Sequence, residues 1–321
     1  MASMTDHTVS RSPRCRLPNG MTIGQWSAAD DWPLRSFALP AHGHAAGSLL
    51  FLGGRGDFFE KYVEAIEHWA TRGWNVAGFD WRGQGGSGRL HPEGLCHIDD
   101  FAQFLGDLGD FWADWRSSSS GPHIAIGHSM GAHILLRAAA EERIAPDGIV
   151  LLSPMIGIRA GPVGAQFARR IARIGNVPGL RHRPVWKGSG SPMPGRITSC
   201  PVRHAEKLWW KAHHPDLARG APSWGWVAAA GRSMATLDPL LRARRLEVPG
   251  LILSARRDPV IDLQSIRAAH RELPHWDYGV IDNAGHELLR EQDLPRHECL
   301  HRIDSFLDRQ TGKHEPTVSG S

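Results

Sequence analysis

The segment HIAIGHSMGAHILLRAAA (123–140) joins a short apolar run to a helical pattern, with only Gly127-His128-Ser129-Met130-Gly131 between them. A buried strand that turns straight into a helix needs very small residues where the two elements approach, and Gly127 and Gly131 supply them. The turn is sharp and strained, with Ser129 at its apex. A hydroxyl so placed projects above the carboxyl ends of the strands, where open parallel sheets bind ligands. The alternative is a serine that only caps the helix; the strand–turn–helix context favours the first reading.

The rest of the chain repeats the same alternation. Buried strands are expected at 48–53, 74–79, 123–127, 148–153, 248–255 and 277–281. Helices are expected over 60–71, 98–115, 130–142, 263–272 and 295–309, each with apolar residues at helical spacing. Such alternation specifies an α/β protein with a mostly parallel central sheet and helices on both faces. The runs 21–28 and 34–41 have no helix between them and read as an antiparallel hairpin at one sheet edge. Polar ends suggest a flexible N-terminus over 1–18 and a flexible tail over 311–321. The core then comprises 19–155 and 247–310, interrupted by 156–246, a stretch rich in Arg, Pro, Gly and Trp with no evident strand. We read that interruption as a mostly helical cap over the sheet.

A serine hydroxyl becomes nucleophilic when a base takes its proton and an acid orients the base. On strand–turn–helix scaffolds of this kind the acid follows a late strand and the histidine follows the next one. Asp258 follows VPGLILSARR, and His286 follows DYGVIDNAG. Asp262, one short turn beyond Asp258, is the competing acid. Acyl transfer also needs donors for the developing oxyanion. One is expected to be the Met130 amide, directly after the serine. The other is expected from Gly53-Gly54-Arg55-Gly56, after the first parallel strand, with the Arg55 amide favoured over the bland reading of a tight turn. Most of the 19 histidines are expected to be structural or surface residues.

Taken together, GGRGDFFEKY (53–62), FDWRGQGGSGR (79–89), GHSMG (127–131), SARRDPV (254–260) and the NAGHELLRE segment resemble the α/β-hydrolase superfamily. Within it they are most similar to the bacterial lysophospholipase and monoacylglycerol-lipase branch. The resemblance runs from about residue 50 to 290 and implies the α/β-hydrolase fold. It also implies hydrolysis of a fatty-acyl ester through a serine-bound intermediate, with Ser129, Asp258 and His286 at the catalytic positions and Arg55 and Met130 as oxyanion donors. A lysophospholipid is the leading substrate; a monoacylglycerol lipase or broad carboxylesterase is the alternative. A non-catalytic lipid-binding protein on the same fold is the alternative of another class. The oxyanion loop departs from many relatives, which open it with His-Gly where this chain has Gly53-Gly54.

Several other functions are disfavoured. Gly83-Gln84-Gly85-Gly86-Ser87-Gly88 fits a dinucleotide-binding glycine pattern, but the loop continues through Arg89–Gly94 before any helix opens. Four scattered cysteines make neither a zinc ribbon nor a disulfide framework. The adjacent pairs His213-His214 and Cys96-His97 point apart on regular structure. No cofactor and no metal are expected. No apolar run reaches membrane-span length and no signal-peptide core is evident, so a cytoplasmic location is expected, with peripheral membrane contact allowed.

A net charge of +4 does not argue for a nucleic-acid partner, and none is expected because no nucleic-acid motif accompanies the charge. The distribution of the charge is more informative. Residues 156–246 hold sixteen Lys and Arg against three acids, whereas the remainder holds 21 basic and 30 acidic residues. Phe167, Ile171 and Ile174 share one helical face and Arg169, Arg170 and Arg173 lie largely elsewhere, a basic amphipathic pattern. Trp209-Trp210 lies between Lys207 and Lys211, an aromatic element suited to a headgroup layer. The cap could therefore dock on an anionic membrane or steer a phosphate-bearing lipid. Its competitor is a solvated basic face with the Trp pair packed into the core beneath it.

Overall fold

A computed structural model describes residues 15–159, 179–186 and 197–312. Eight strands form one sheet: β1 (Thr22–Ser27), β2 (Pro33–Leu39), β3 (Gly47–Leu52), β4 (Trp74–Phe79), β5 (His123–His128), β6 (Gly148–Leu152), β7 (Gly250–Ala255) and β8 (Asp277–Ile281). Their spatial order is β1-β2-β4-β3-β5-β6-β7-β8. The hairpin β1–β2 is antiparallel at one edge, with Trp26 opposite Leu34, and β2 is antiparallel to β4. Every pairing from β4 through β3 to β8 is parallel.

The period of two along each strand sorts side chains to the two faces. On β3, Leu50 and Leu52 face a core built with helices α2 (Ala102–Ser118), α3 (Met130–Ala140), α5 (Trp224–Ala243) and α6 (Leu263–Arg271). Leu49 and Phe51 face the opposite core, where α1 (Val63–Thr71) supplies Ile66 and Trp69 and α7 (Asp293–Gln310) supplies Leu300, Ile303 and Phe306. Strands β3, β5, β6 and β7 are buried along their whole length, as continuous apolar runs in a covered parallel sheet require.

Element types follow the sequence expectation; the differences are at boundaries. The helix expected from Ile98 begins at Ala102, because the Asp100 carboxylate accepts from the Ala102 amide at 2.9 Å and turns the chain there. The helix expected from Glu60 opens with a 3-10 turn, Phe59–Tyr62, before α1. The strand expected from Val248 begins at Gly250, after Pro249.

Between β6 and β7 the described residues contain two helices, α4 (Pro201–His213) and α5. The basic amphipathic pattern at 167–174 and the segment 187–196 lie outside the described residues. Part of the positive charge of 156–246 is directed at core groups, and part forms exposed ion pairs. Arg203 is buried and binds both Glu64 carboxylate oxygens at 2.7 and 2.8 Å and Asp293 at 2.9 Å. Arg219 is buried and donates to the carbonyls of Gly83, Gly85 and Gly88, so the glycine pattern at 83–88 wraps a guanidinium rather than a nucleotide. Arg181 reaches Asp99, and Arg244 reaches Glu142. Of the aromatic pair, Trp210 packs with Phe58 and Leu217 in a small core of its own, and Trp209 stacks on His213. For Trp210 the packed reading therefore replaces the headgroup-layer reading. No helix among the described residues is long and apolar enough to cross a membrane.

One buried polar contact ties α5 to α3. His133 Nε2 lies 2.7 Å from Ser233 Oγ, which also accepts from Arg137 at 2.9 Å. The Ser233 hydroxyl proton is then left for a neutral imidazole. Burial, aided by the Arg137 charge, pushes His133 down to about 3. Its unfolded counterpart titrates near 6.5, so the unfolded state binds the extra proton between these values. The contribution is complete above about pH 6.5 and is lost as pH falls towards 3, with a slope of up to about 1.4 kcal/mol per pH unit. Denaturant titrations from pH 7 to 4 are expected to show this slope in the wild type and its loss in His133→Gln.

Candidate active site

Ser129 lies between the last residue of β5 and the first of α3, at φ 53° and ψ −112°. This is left-handed backbone, rarely adopted by a residue with a side chain. Both of its backbone groups are held from outside the turn. Its amide donates to Leu152 O at 2.9 Å, and its carbonyl accepts from Met155 N at 3.0 Å and His133 N at 3.1 Å. The flanking glycines answer to packing. A Cβ on Gly127 would lie 2.6 Å from Ala132 Cα, and one on Gly131 would lie 2.4 Å from Gly53 O and 2.6 Å from Leu52 O.

Asp258 and His286 follow the ends of β7 and β8, and the sheet brings both to Ser129. His286 Nε2 is 2.9 Å from Ser129 Oγ, and His286 Nδ1 is 2.7 Å from Asp258 Oδ2. All three side chains are buried. The other Asp258 oxygen accepts from the amides of Val260 and Ile261 at 2.8 and 2.9 Å. Burial alone would push this carboxyl up; His286 and the two amides outweigh it and hold the group below its ordinary range. Asp262 does not approach His286. Its carboxylate caps α6, accepting from Gln264 N at 3.3 Å and Ser265 N at 3.2 Å.

The loop after β3 packs against the start of α3. A Cβ on Gly54 would lie 3.2 Å from Ser129 Cβ. The Gly54 amide is committed to Asp57 Oδ2 at 2.8 Å. Among the described residues, the amides of Arg55 and Met130 have no acceptor. They are thus the loop and helix donors still available beside Ser129.

Sequence reasoning left unassigned a buried set behind this loop. Asp57 also accepts from Tyr62 Oη at 2.7 Å and pairs with Lys61, while Lys61 reaches Glu287 at 2.6 Å. Burial raises both carboxyls, but Lys61 and His128 hold Asp57, and Lys207, Lys61 and Arg290 hold Glu287, well below the carboxylate range. His128 Nδ1 is 2.9 Å from Tyr62 Oη, and its Nε2 is 3.2 Å from the His286 carbonyl. This places His128 between the loop after β3 and the histidine beside Ser129. The signal for part of the set was present: Asp57 and Lys61 are four residues apart, and Glu287 follows His286 directly. Among the described residues, no group of three His, Cys, Asp or Glu side chains is arranged to hold a metal ion.

Residues 43–293 match the family described as serine aminopeptidase, S33. The probable lysophospholipase L2 of Haemophilus influenzae is 27% identical over 271 residues, which span 82% of this chain and 84% of that protein. Lysophospholipase L2 of Escherichia coli K12 is 28% identical over 304 residues, spanning 89% and 87%. A soluble variant of monoglyceride lipase from Saccharomyces cerevisiae, solved with a substrate analogue, shares the fold with a TM-score of 0.74 at 17% identity, over 94% of this chain and 99% of that one. With its eight-stranded, mostly parallel sheet, the chain belongs to the serine aminopeptidase S33 family and is a lysophospholipase-like serine hydrolase of the α/β-hydrolase fold.

Proposed function

We propose that the chain hydrolyses the carboxylic ester of a fatty-acyl lipid, with a lysophospholipid as the preferred substrate. The observation that carries this reading is the relay of 2.9 Å from Ser129 Oγ to His286 and 2.7 Å from His286 to Asp258, beside two uncommitted amides. His286 takes the Ser129 proton as the oxygen attacks the ester carbonyl. Asp258 fixes the imidazole and stabilises its charged form. The amides of Arg55 and Met130 receive the oxyanion. Collapse expels the glycerol-side alcohol, protonated by His286, and leaves an acyl-serine. Water, deprotonated by the same imidazole, then releases the fatty acid and restores Ser129. Residues 156–246 act in this reading as a cap that shields the acyl-enzyme from bulk water.

The lysophospholipid preference draws on the curated relatives, which are lysophospholipases at near-full coverage. The monoacylglycerol reading draws on a likeness of fold alone. A peripheral membrane role for the basic cap is retained only for surface outside the contacts described above, because Arg203 and Arg219 face the core.

A hydrolysis panel of lysophospholipid, monoacylglycerol, short-chain ester and aminoacyl anilide tests the assignment. Ser129→Ala is expected to lower kcat by about 10⁶-fold and to abolish labelling by a fluorophosphonate probe. A wild-type protein that is folded yet unlabelled would overturn the reading. Asp258→Asn is expected to lower kcat by about 10³–10⁴-fold with KM little changed, whereas Asp262→Ala lowers the melting temperature without that kinetic loss. Equal kinetic losses from both variants would count against Asp258 as the orienting acid.

A further inference from the structure

The charged set behind the loop after β3 is out of balance. Asp57 and Glu287 are its carboxylates; Lys61 pairs with both, and Lys207 and Arg290 share Glu287 at 3.4 and 3.2 Å. Lys211 lies one turn beyond Lys207 on the same face of α4 and is half-buried. Its charge is felt at Cys96 and Arg55, so it sits near the loop that holds the Arg55 amide. The Arg55 guanidinium lies 3.8 Å from Cys96 Sγ and 5.6 Å from the ring centres of Trp186 and Trp226. Among the described residues no carboxylate is within ion-pair distance of Arg55 or Lys211. The undescribed segments 160–178 and 187–196 contain no Asp or Glu. Lys61, Lys207, Arg290, Lys211 and Arg55 thus stand against Asp57, Glu287 and the buried Glu206 of the same helix α4, an excess of two positive charges in a largely desolvated region. Gathering that excess out of water is unfavourable unless an anion completes it.

We infer that Lys211, Lys207 and the Arg55 guanidinium form a subsite for the phosphate of the substrate, resting on the ester-hydrolase reading above. The placement suits a glycerophospholipid. The phosphate and the ester carbonyl stand at opposite ends of one glycerol unit, and Arg55 offers its amide to the carbonyl and its guanidinium, a side chain's length away, to the phosphate. Arginine and lysine are the side chains that make charge-assisted hydrogen bonds to phosphate oxygens. A monoacylglycerol carries no charge to fill the subsite, which makes the excess a device of headgroup choice. Burial pushes Lys207 down to about 8, partly opposed by Glu287 and reinforced by Lys61 and Arg290. Burial and Lys61 likewise lower Lys211. His204, on the same helix, is lowered by burial and by these lysines. The subsite therefore loses charge as pH rises through about 8.

The test compares lysophosphatidylcholine with a monoacylglycerol of the same acyl chain. Lys211→Met is expected to lower the ratio of their kcat/KM values by about ten- to hundredfold, mainly through the lysophosphatidylcholine KM, and Lys211→Arg to restore most of it. Glycerophosphocholine is expected to compete with monoacylglycerol hydrolysis in the wild type and to do so far more weakly in Lys211→Met. In the wild type the lysophosphatidylcholine KM should rise above about pH 8 with no matching rise for monoacylglycerol; this arm decides the matter if the Met variant melts early. An unchanged ratio at wild-type melting temperature, or equal pH dependence for both substrates, overturns the subsite while leaving the hydrolase reading intact. Inorganic phosphate competing at lower concentration than glycerophosphocholine would also overturn it, since the recognised anion would then be free phosphate. Glycerophosphocholine bound calorimetrically by a protein that cleaves no ester would instead support the subsite and overturn the hydrolase reading.

Discussion

The Asp57 carboxylate is the interaction on which the surroundings of Ser129 depend. It takes the Gly54 amide, the Tyr62 hydroxyl and the Lys61 ammonium into one buried knot. With the Gly54 amide so committed, the next one, on Arg55, is left without an acceptor among the described residues. Through Tyr62 the knot meets His128, and through His128 it meets the His286 carbonyl. A loop, a strand end and a second loop, distant in sequence, therefore share one hydrogen-bonded support. The same low dielectric that makes such a support strong makes any unmet member costly.

Sheet and insertion divide the remaining work. Parallel strands β5, β7 and β8 deliver Ser129, Asp258 and His286 to one rim, because side chains that follow parallel strand ends collect on one side of an open sheet. The insertion is fastened to the core by buried arginines. Arg203 joins α4 to Glu64 and to Asp293, while Arg219 fills the glycine loop after β4. Part of the charge asymmetry between the two parts of the chain is this fastening.

The sheet, its edge hairpin and the turn at Ser129 were legible because each follows from apolar period and glycine placement. Within the acid choice the sequence was ambiguous: Asp258 and Asp262 both follow β7, and only the structure shows that the second spends its oxygens on α6 amides. The buried ionic set was not legible as a set. Lys61, Lys207, Glu287 and Arg203 have the composition of a solvated surface, and nothing local reveals that they meet across α1, α4 and the loop after β8. Trp209 and Trp210 show the same limit, since the motif alone does not tell that Trp210 is buried and Trp209 half-buried against the same small core. The segment 167–174, the clearest amphipathic signal in the insertion, lies beyond the described residues.

The contact at Gly131 has a consequence for how such a chain can vary. The atoms that would meet a Cβ there are the carbonyl oxygens of Gly53 and Leu52, so the obstacle is main chain. A clash between side chains can be relieved by shortening the neighbour, and a lineage can therefore pass through it by a second change. Main-chain oxygen cannot be shortened by any codon. Position 131 is thereby closed to compensation, and drift in the surrounding core must go around it.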